Sequence, residues 1–261
     1  MDKVIVVKLG GATLGSHDTA IEDIVYLQQQ GKSLVIVHGG GKVITDWLEK
    51  QGISTRFVHG ERVTDEATLE VVISVLAGLV NKQIVAAINS LGGRAVGISG
   101  VDGGFIQGRI KDEALGFIGT VVKVNLAPLK ALLQSGYIPV VAPVSLHSTD
   151  KPNKAPSVLN INADAVAGEV AAAIAAERLI FLTDVVGVCD QSGNLLPHLS
   201  PGEAEALVAS GVASGGMIPK IKACLRALSS TSTTSIIDGR QQHALLKEIE
   251  GHGGGTTIER S

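Results

Sequence analysis

Short runs rich in Val and Ile alternate with helix-length segments along almost the whole chain, and clusters of glycine close several of the runs. Parallel strands need crossover connections of a dozen or more residues, usually helices, so this alternation predicts an α/β fold around a parallel sheet. Strands are predicted over 3–8, 33–38, 95–99, 137–142, 178–183 and 233–237. Their near-continuous apolar character fits strands covered on both faces. Helices are predicted over 18–30, 42–51, 65–91, 126–134, 163–176, 201–209, 217–228 and 242–250. In the longest, Leu69, Val72, Ile73, Leu76, Val80 and Ile84 spread beyond a single stripe. Burial on two sides is expected there, within the chain or across a dimer interface. Over 105–124 and 145–159 the helical period is lost, and antiparallel hairpins at one end of the sheet, candidates for a lid, are expected.

At 261 residues, one large domain or two lobes are the economical arrangements. Hydrophobic residues make up 45% and charged residues 18%, enough apolar surface to offset ordering entropy. Aromatics at 3% are too few for base-stacking platforms, and a net charge of -3 gives no basic nucleic-acid surface, so a nucleic-acid partner is not expected. Lys8 ends the first apolar run too early for a secretory signal. The apolar stretch 71–80 is short of the roughly 20 residues that span a bilayer. With two cysteines, Cys189 and Cys224, neither a disulfide framework nor a four-thiolate zinc site is available, and a cytoplasmic location is expected.

Glycine is the compositional excess: 32 residues, about 12% against a usual ~7%. The first strand ends in Lys8-Leu9-Gly10-Gly11 and the second in His38-Gly39-Gly40-Gly41, each leading towards a helix. At the carboxyl edge of a parallel sheet such turns expose backbone N–H groups that favour anions. There is no Walker A loop and no Gly-x-Gly-x-x-Gly. Lys8, ending an apolar strand, either snorkels to solvent or reaches into a cleft. Lys220 stands one turn into a helix, where a cation opposes the macrodipole; it is either solvated or offset by an anion, phosphate being the obvious one. Asn160-Ile161-Asn162-Ala163-Asp164 opens an alanine-rich helix with three polar residues where a cap needs one, Asn162 or Asp164. Arg62 could grip a carboxylate bidentately or make a surface ion pair. Asp184, at a strand end before Val185-Val186-Gly187-Val188, suits a ligand loop or an Asx turn. The seven histidines are unpaired, and His-Glu-x-x-His, Cys-x-x-Cys and Gly-x-Ser-x-Gly are all absent, so neither a protein-held metal nor a serine nucleophile is expected.

Taken in order, these motifs resemble the amino acid kinase family over essentially the whole chain, including Gly78-Leu79-Val80-Asn81-Lys82 and the closing Gly255-Thr256-Thr257-Ile258. The resemblance implies an open αβα sandwich with a mainly parallel central sheet. It also implies an acid-binding, dimer-forming N-lobe (1–176) and a nucleotide-binding C-lobe (177–261). It points to the branch that phosphorylates the γ-carboxylate of N-acetyl-L-glutamate with Mg-ATP, a step of arginine biosynthesis. By that resemblance Lys8 and Lys220 act on the transferring phosphoryl group and Asp164 positions them. Gly10, Gly11, Gly40 and Gly41 supply amide donors to phosphate and substrate, and Arg62 and Asn160 hold the amino-acid end. Asp184, Val185, Val186, Gly187, Val188 and Cys189, with Val212, Ala213 and Ser214, contact the nucleotide. Such a reaction needs no general base, because a carboxylate of ordinary pKa ~4.3 is already ionised at neutral pH.

Glu61 and Val101 depart from the family pattern, which commonly has an apolar or aromatic residue and a lysine there. The first strand starts at once, without the preceding helix of hexameric, arginine-inhibited relatives, so an arginine-insensitive homodimer is expected. Two rival readings are a sister kinase acting on a carrier-linked aminoadipate or glutamate, and a nucleotide-binding regulatory module without catalysis.

Overall fold

The computed structural model describes residues 3–10, 19–58, 61–149 and 155–260. In chain order its elements are β1 (Val4–Leu9), α1 (Ala20–Gln29), β2 (Ser33–His38), α2 (Gly41–Lys50), β3 (Phe57–Val58), β4 (Glu61–Arg62), α3 (Glu66–Ile73) and, after a π-helical turn (Ser74–Val80), α4 (Asn81–Ser90). There follow β5 (Ala95–Gly100), β6 (Ile106–Ile110), β7 (Ile118–Val124), α5 (Ala127–Gln134), β8 (Ile138–His147), β9 (Val158–Ile161) and α6 (Ala163–Ile174). The chain closes with β10 (Arg178–Thr183), β11 (His198–Leu199), α7 (Pro201–Ala209), α8 (Met217–Ala227), β12 (Thr233–Asp238), α9 (Ala244–Ile249) and β13 (Thr256–Glu259).

One eleven-stranded sheet runs β11-β13-β12-β10-β1-β2-β8-β6-β7-β9, with β5 added beside β8, and β3–β4 form a separate ribbon. The centre is parallel: β1 pairs with both β2 and β10, β10 with β12, and β2 with β8. Within this sheet the antiparallel pairs among the described residues are β6–β7, β8–β9 and β12–β13. The first two of these are the expected hairpin regions. Side-chain alternation sorts two cores. Val4, Val6, Val35 and Val37 pack with α6 and α8 on one face, and Ile5, Val7, Leu34 and Ile36 pack with α1, α2 and the α3–α4 run on the other. The result is the three-layer αβα sandwich that the family resemblance implied.

Helix ends follow local chemistry. Asn162 caps α6 by accepting from Asp164 N and Ala165 N. Ser200 and Glu203 form a reciprocal capping box at α7, with Pro201 at the first helical position. The long helix expected over 65–91 is present but widened by the π-turn at 74–80. It is long and apolar enough to cross a bilayer by composition, longer than the 71–80 stretch alone suggested. Here it is a core helix, with Val72, Leu76, Val80, Ile84 and Ile88 buried against the sheet. Ile73, Ala77 and Val85 are half-buried, so its second side is only partly covered.

Candidate active site

Lys8 sits at the centre of the sheet, in register with Val37 on one side and Phe181 on the other. The alternation that sends Val4 and Val6 to the α6 face sends Lys8 there too. Its Nζ lies 2.8 Å from Asp164 Oδ1, and Lys220 Nζ, one turn into α8, donates to Asp164 Oδ2 at 3.1 Å. All three side chains are largely buried, at 9%, 7% and 15% exposure for Lys8, Asp164 and Lys220. The Lys8 contact is an ion pair without an aligned hydrogen bond to Oδ1. Burial alone would push the Asp164 carboxyl up, but the two ammonium groups outweigh it and hold the group below the usual carboxylate range. The anion that offsets Lys220 against the helix dipole is therefore, in this state, Asp164. Asn162 is the cap, which frees Asp164 for the lysines.

Beside this centre is a cavity of about 200 Å3 lined by Gly39, Gly40, Gly41, Arg62, Asn160 and Ala163, among others. Arg62 donates from Nη2 to Gly41 O (3.0 Å) and Thr45 Oγ1 (2.8 Å) and from Nη1 to Thr55 Oγ1 (3.3 Å). Its guanidinium lies 4.8 Å from the centre of the Phe57 ring. Asn160 Nδ2 donates to Thr64 Oγ1 at 3.2 Å. The first-turn amides of α2, from Gly41 on, have no carbonyl partner within the helix and face the same edge. Arg62 is thus inside the cleft and not in a surface ion pair. The neighbouring Glu61 takes up Lys111 at 2.6 Å. A larger cavity, about 590 Å3, opens past Glu61 and Asn162 between α6 and α8, where Lys222 and the Arg226–Glu169 ion pair are exposed to solvent.

The expected nucleotide edge divides. Asp184 is exposed, with Thr183 Oγ1 donating to it at 3.2 Å, and Val185 and Val186 are 39% and 49% exposed beyond β10. Ser214 is exposed and Val212 half-buried, before α8. Val188 and Ala213, by contrast, are core residues, and Val188 N donates to Thr256 Oγ1. Gly187 turns the chain with φ 146°, and Cys189 bridges to Leu195. The side chains of Val188 and Ala213 thus sit behind the edge, while Cys189 is half-buried. Gly10 N–H donates to Leu182 O at 2.9 Å, a bond that continues the sheet. Gly11 lies outside the described residues. Cys224 is packed in the core with its thiol pushed up to about 12 by burial. Among the described residues no cluster of His, Cys, Asp or Glu could hold a metal ion.

Sequence reasoning missed the Asp238–Arg240 pair at the same edge, where Arg240 Nε and Nη2 meet the Asp238 oxygens at 2.8 and 2.9 Å. Gly239, between them at the strand end, was the available signal. It also missed the network beneath the second glycine loop, where the buried His38 meets Asn81.

Six ordered motifs, the αβα sandwich and two lysines on one carboxylate beside a glycine-lined cleft agree with the comparison to known proteins. The profile of the amino acid kinase family matches residues 3–238, and the chain belongs to that family. A protein of Dehalococcoides mccartyi (strain CBDB1) called acetylglutamate kinase is 49% identical over 255 residues, covering 98% of this chain and 94% of its own. One of Cereibacter sphaeroides (strain KD131) with the same name is 48% identical over 262 residues, covering 99% and 88%. Among solved structures, N-acetylglutamate synthase from Neisseria gonorrhoeae, complexed with coenzyme A and N-acetyl-glutamate, superposes with a TM-score of 0.84 at 26% identity, over 99% of this chain and 60% of that one. Carbamate kinase from Giardia lamblia, bound to AMP-PNP, shares the fold with a TM-score of 0.72 at 15% identity.

Proposed function

We propose that this chain transfers the γ-phosphoryl group of ATP to the γ-carboxylate of N-acetyl-L-glutamate, giving the acyl phosphate and ADP in arginine biosynthesis. The observation that carries the reading is the shared ion pair of Lys8 and Lys220 on Asp164, built against the cleft that holds Arg62 and Asn160. A carboxylate oxygen attacks the γ-phosphorus as the bond to the β-phosphate oxygen breaks, and ADP leaves with the electron pair. Two anions must be aligned and their charge neutralised, which is work for cations and amides and requires no base. Each ammonium has three donors, so Lys8 and Lys220 can keep Asp164 while reaching phosphoryl oxygens. Arg62 receives the α-carboxylate and Asn160 the amide end of the acid. Magnesium would arrive with ATP and would supply neutralisation of phosphate charge.

The acid-binding residues all come from 1–176, and Asp184, Val185, Val186 and Ser214 come from 177–261, which supports the two-lobe assignment. We further assign the half-buried side of α3–α4 to a homodimer interface, and the two free cysteines support a cytoplasmic setting. Trapping with hydroxylamine tests the chemistry: Mg-ATP is supplied with N-acetylglutamate, glutamate, aspartate or aminoadipate in parallel. Hydroxamate is expected with N-acetylglutamate. Product with another acid alone would move the pathway, and none with any would refute the reading.

A further inference from the structure

The Gly78-to-Lys82 motif and the π-turn that contains part of it have no part in the chemistry above, yet both bear on the second glycine loop. His38, the last residue of β2, follows Leu34 and Ile36 to the sheet face opposite Lys8 and is fully buried. Its Nδ1 is 2.8 Å from Gly39 O and its Nε2 is 3.2 Å from Asn81 Nδ2. A carbonyl can only accept, so Nδ1 carries the hydrogen; Nε2 is then bare and accepts from the Asn81 amide. The amide orientation is fixed in turn, since Asn81 Nδ2 also donates to Val140 O at 2.9 Å and Oδ1 accepts from Lys82 Nζ at 3.0 Å. Every polar atom of the imidazole and the amide is used.

The π-turn supplies the placement. One extra residue in a turn rotates everything after it by about 100° relative to an uninterrupted helix, and Asn81 is the first residue after the turn. The turn also supports the loop directly: a Cβ on Gly40 would lie 2.7 Å from Leu76 Cδ2 and 3.5 Å from Val80 Cγ2. On the far side Gly97 leaves room, because a Cβ there would collide with Asn81 Oδ1. Loop 38–41 therefore rests on the π-turn and is pinned by a hydrogen-bond chain from Val140 through Asn81 and His38 to the Gly39 carbonyl.

We infer that His38 and Asn81 are positioning residues for the acid substrate: they hold the Gly39 carbonyl back into the protein so that the Gly40 and Gly41 amides stay aimed at the cleft. This rests on the proposed reading that those glycines meet the acid. The neutral ring also keeps a third positive charge away from Lys8, consistent with burial driving its pKa from 6.5 down to about 4.

Nitrogen-15 NMR of the wild-type imidazole is the first test. His38 should show the Nδ1–H neutral tautomer, the minor form of free histidine, unchanged from about pH 8 to about pH 5. An Nε2–H ring, or one that protonates near 6.5, would overturn the inference without any variant having to fold. Calorimetric binding of N-acetylglutamate to Asn81→Ala is the second. A roughly tenfold weaker Kd for the acid, with the KM for ATP within about twofold, is expected from loss of one buried donor. An unchanged Kd would also overturn it. If the wild-type protein bound no acid, the functional reading would fail while the tautomer result stood on its own.

Discussion

The two halves of the cleft are built differently. On the proposed acid side the polar groups already have protein partners: Arg62 has three acceptors, Asn160 has Thr64, and Asp164 is ion-paired to two lysines. On the proposed nucleotide side Asp184, Val185, Val186 and Ser214 are open to solvent. A preformed network discriminates, because a ligand that displaces its internal bonds without replacing them leaves buried groups unpaired, whereas an exposed apolar edge gives affinity with little selectivity. On the proposed reading, the comparison puts the chemistry and the choice of acid in the buried half.

The largest effect should come from the centre itself. Lys8→Ala or Lys220→Ala should lower kcat by ~100-fold or more with modest change in either KM, as for removal of a preorganised charge donor; near-normal turnover would break the account. Next, Arg62→Ala should raise the KM for the acid roughly tenfold and leave that for ATP within about twofold, the cost of a lost charged hydrogen bond. Equal effects on both substrates would erase the distinction between the halves. The smallest change is expected at the open edge, where Val186→Ala should shift the KM for ATP by no more than about threefold, a fraction of one exposed side chain.

Stability against pH sharpens the same contrast from the side of the fold. Below about pH 6.5 the unfolded chain protonates at His38, while the folded chain resists until about pH 4. The His38 contribution is thus complete above the free value and is lost as pH falls through that window, by roughly 3 kcal/mol at most. Urea titrations of His38→Gln should show a flatter dependence between about pH 6.5 and about pH 4.5 than the wild-type protein. An identical slope would mean that the ring is not held neutral by burial.

Much of this was legible in the sequence. The six predicted strands are all present, since runs such as Ser33–His38 are apolar on both faces and end at glycines. Lys8 and Lys220 could be singled out because each stands where a cation is costly, a buried strand and a helix start; the role of Asp164 came from the family resemblance, its motif leaving the cap open between Asn162 and Asp164. The π-turn was not legible, because its residues, SVLAGLV, fit α-helical periodicity equally well and only packing against Gly40 distinguishes the wider turn. Nor could sequence separate Val185 and Val186, which face out, from Val188, which turns inward after Gly187. The commitment of Gly10 N–H to Leu182 required the register of β1 on β10.

The central claim is that two lysines work as one unit through a single carboxylate. Its most direct test is kcat measured for Lys8→Met, Lys220→Met and the double variant. Sharing Asp164 predicts strong non-additivity, with the double variant within about tenfold of the worse single one. Losses that simply multiply would contradict it, leaving Lys8 and Lys220 as independent cations that happen to touch the same aspartate.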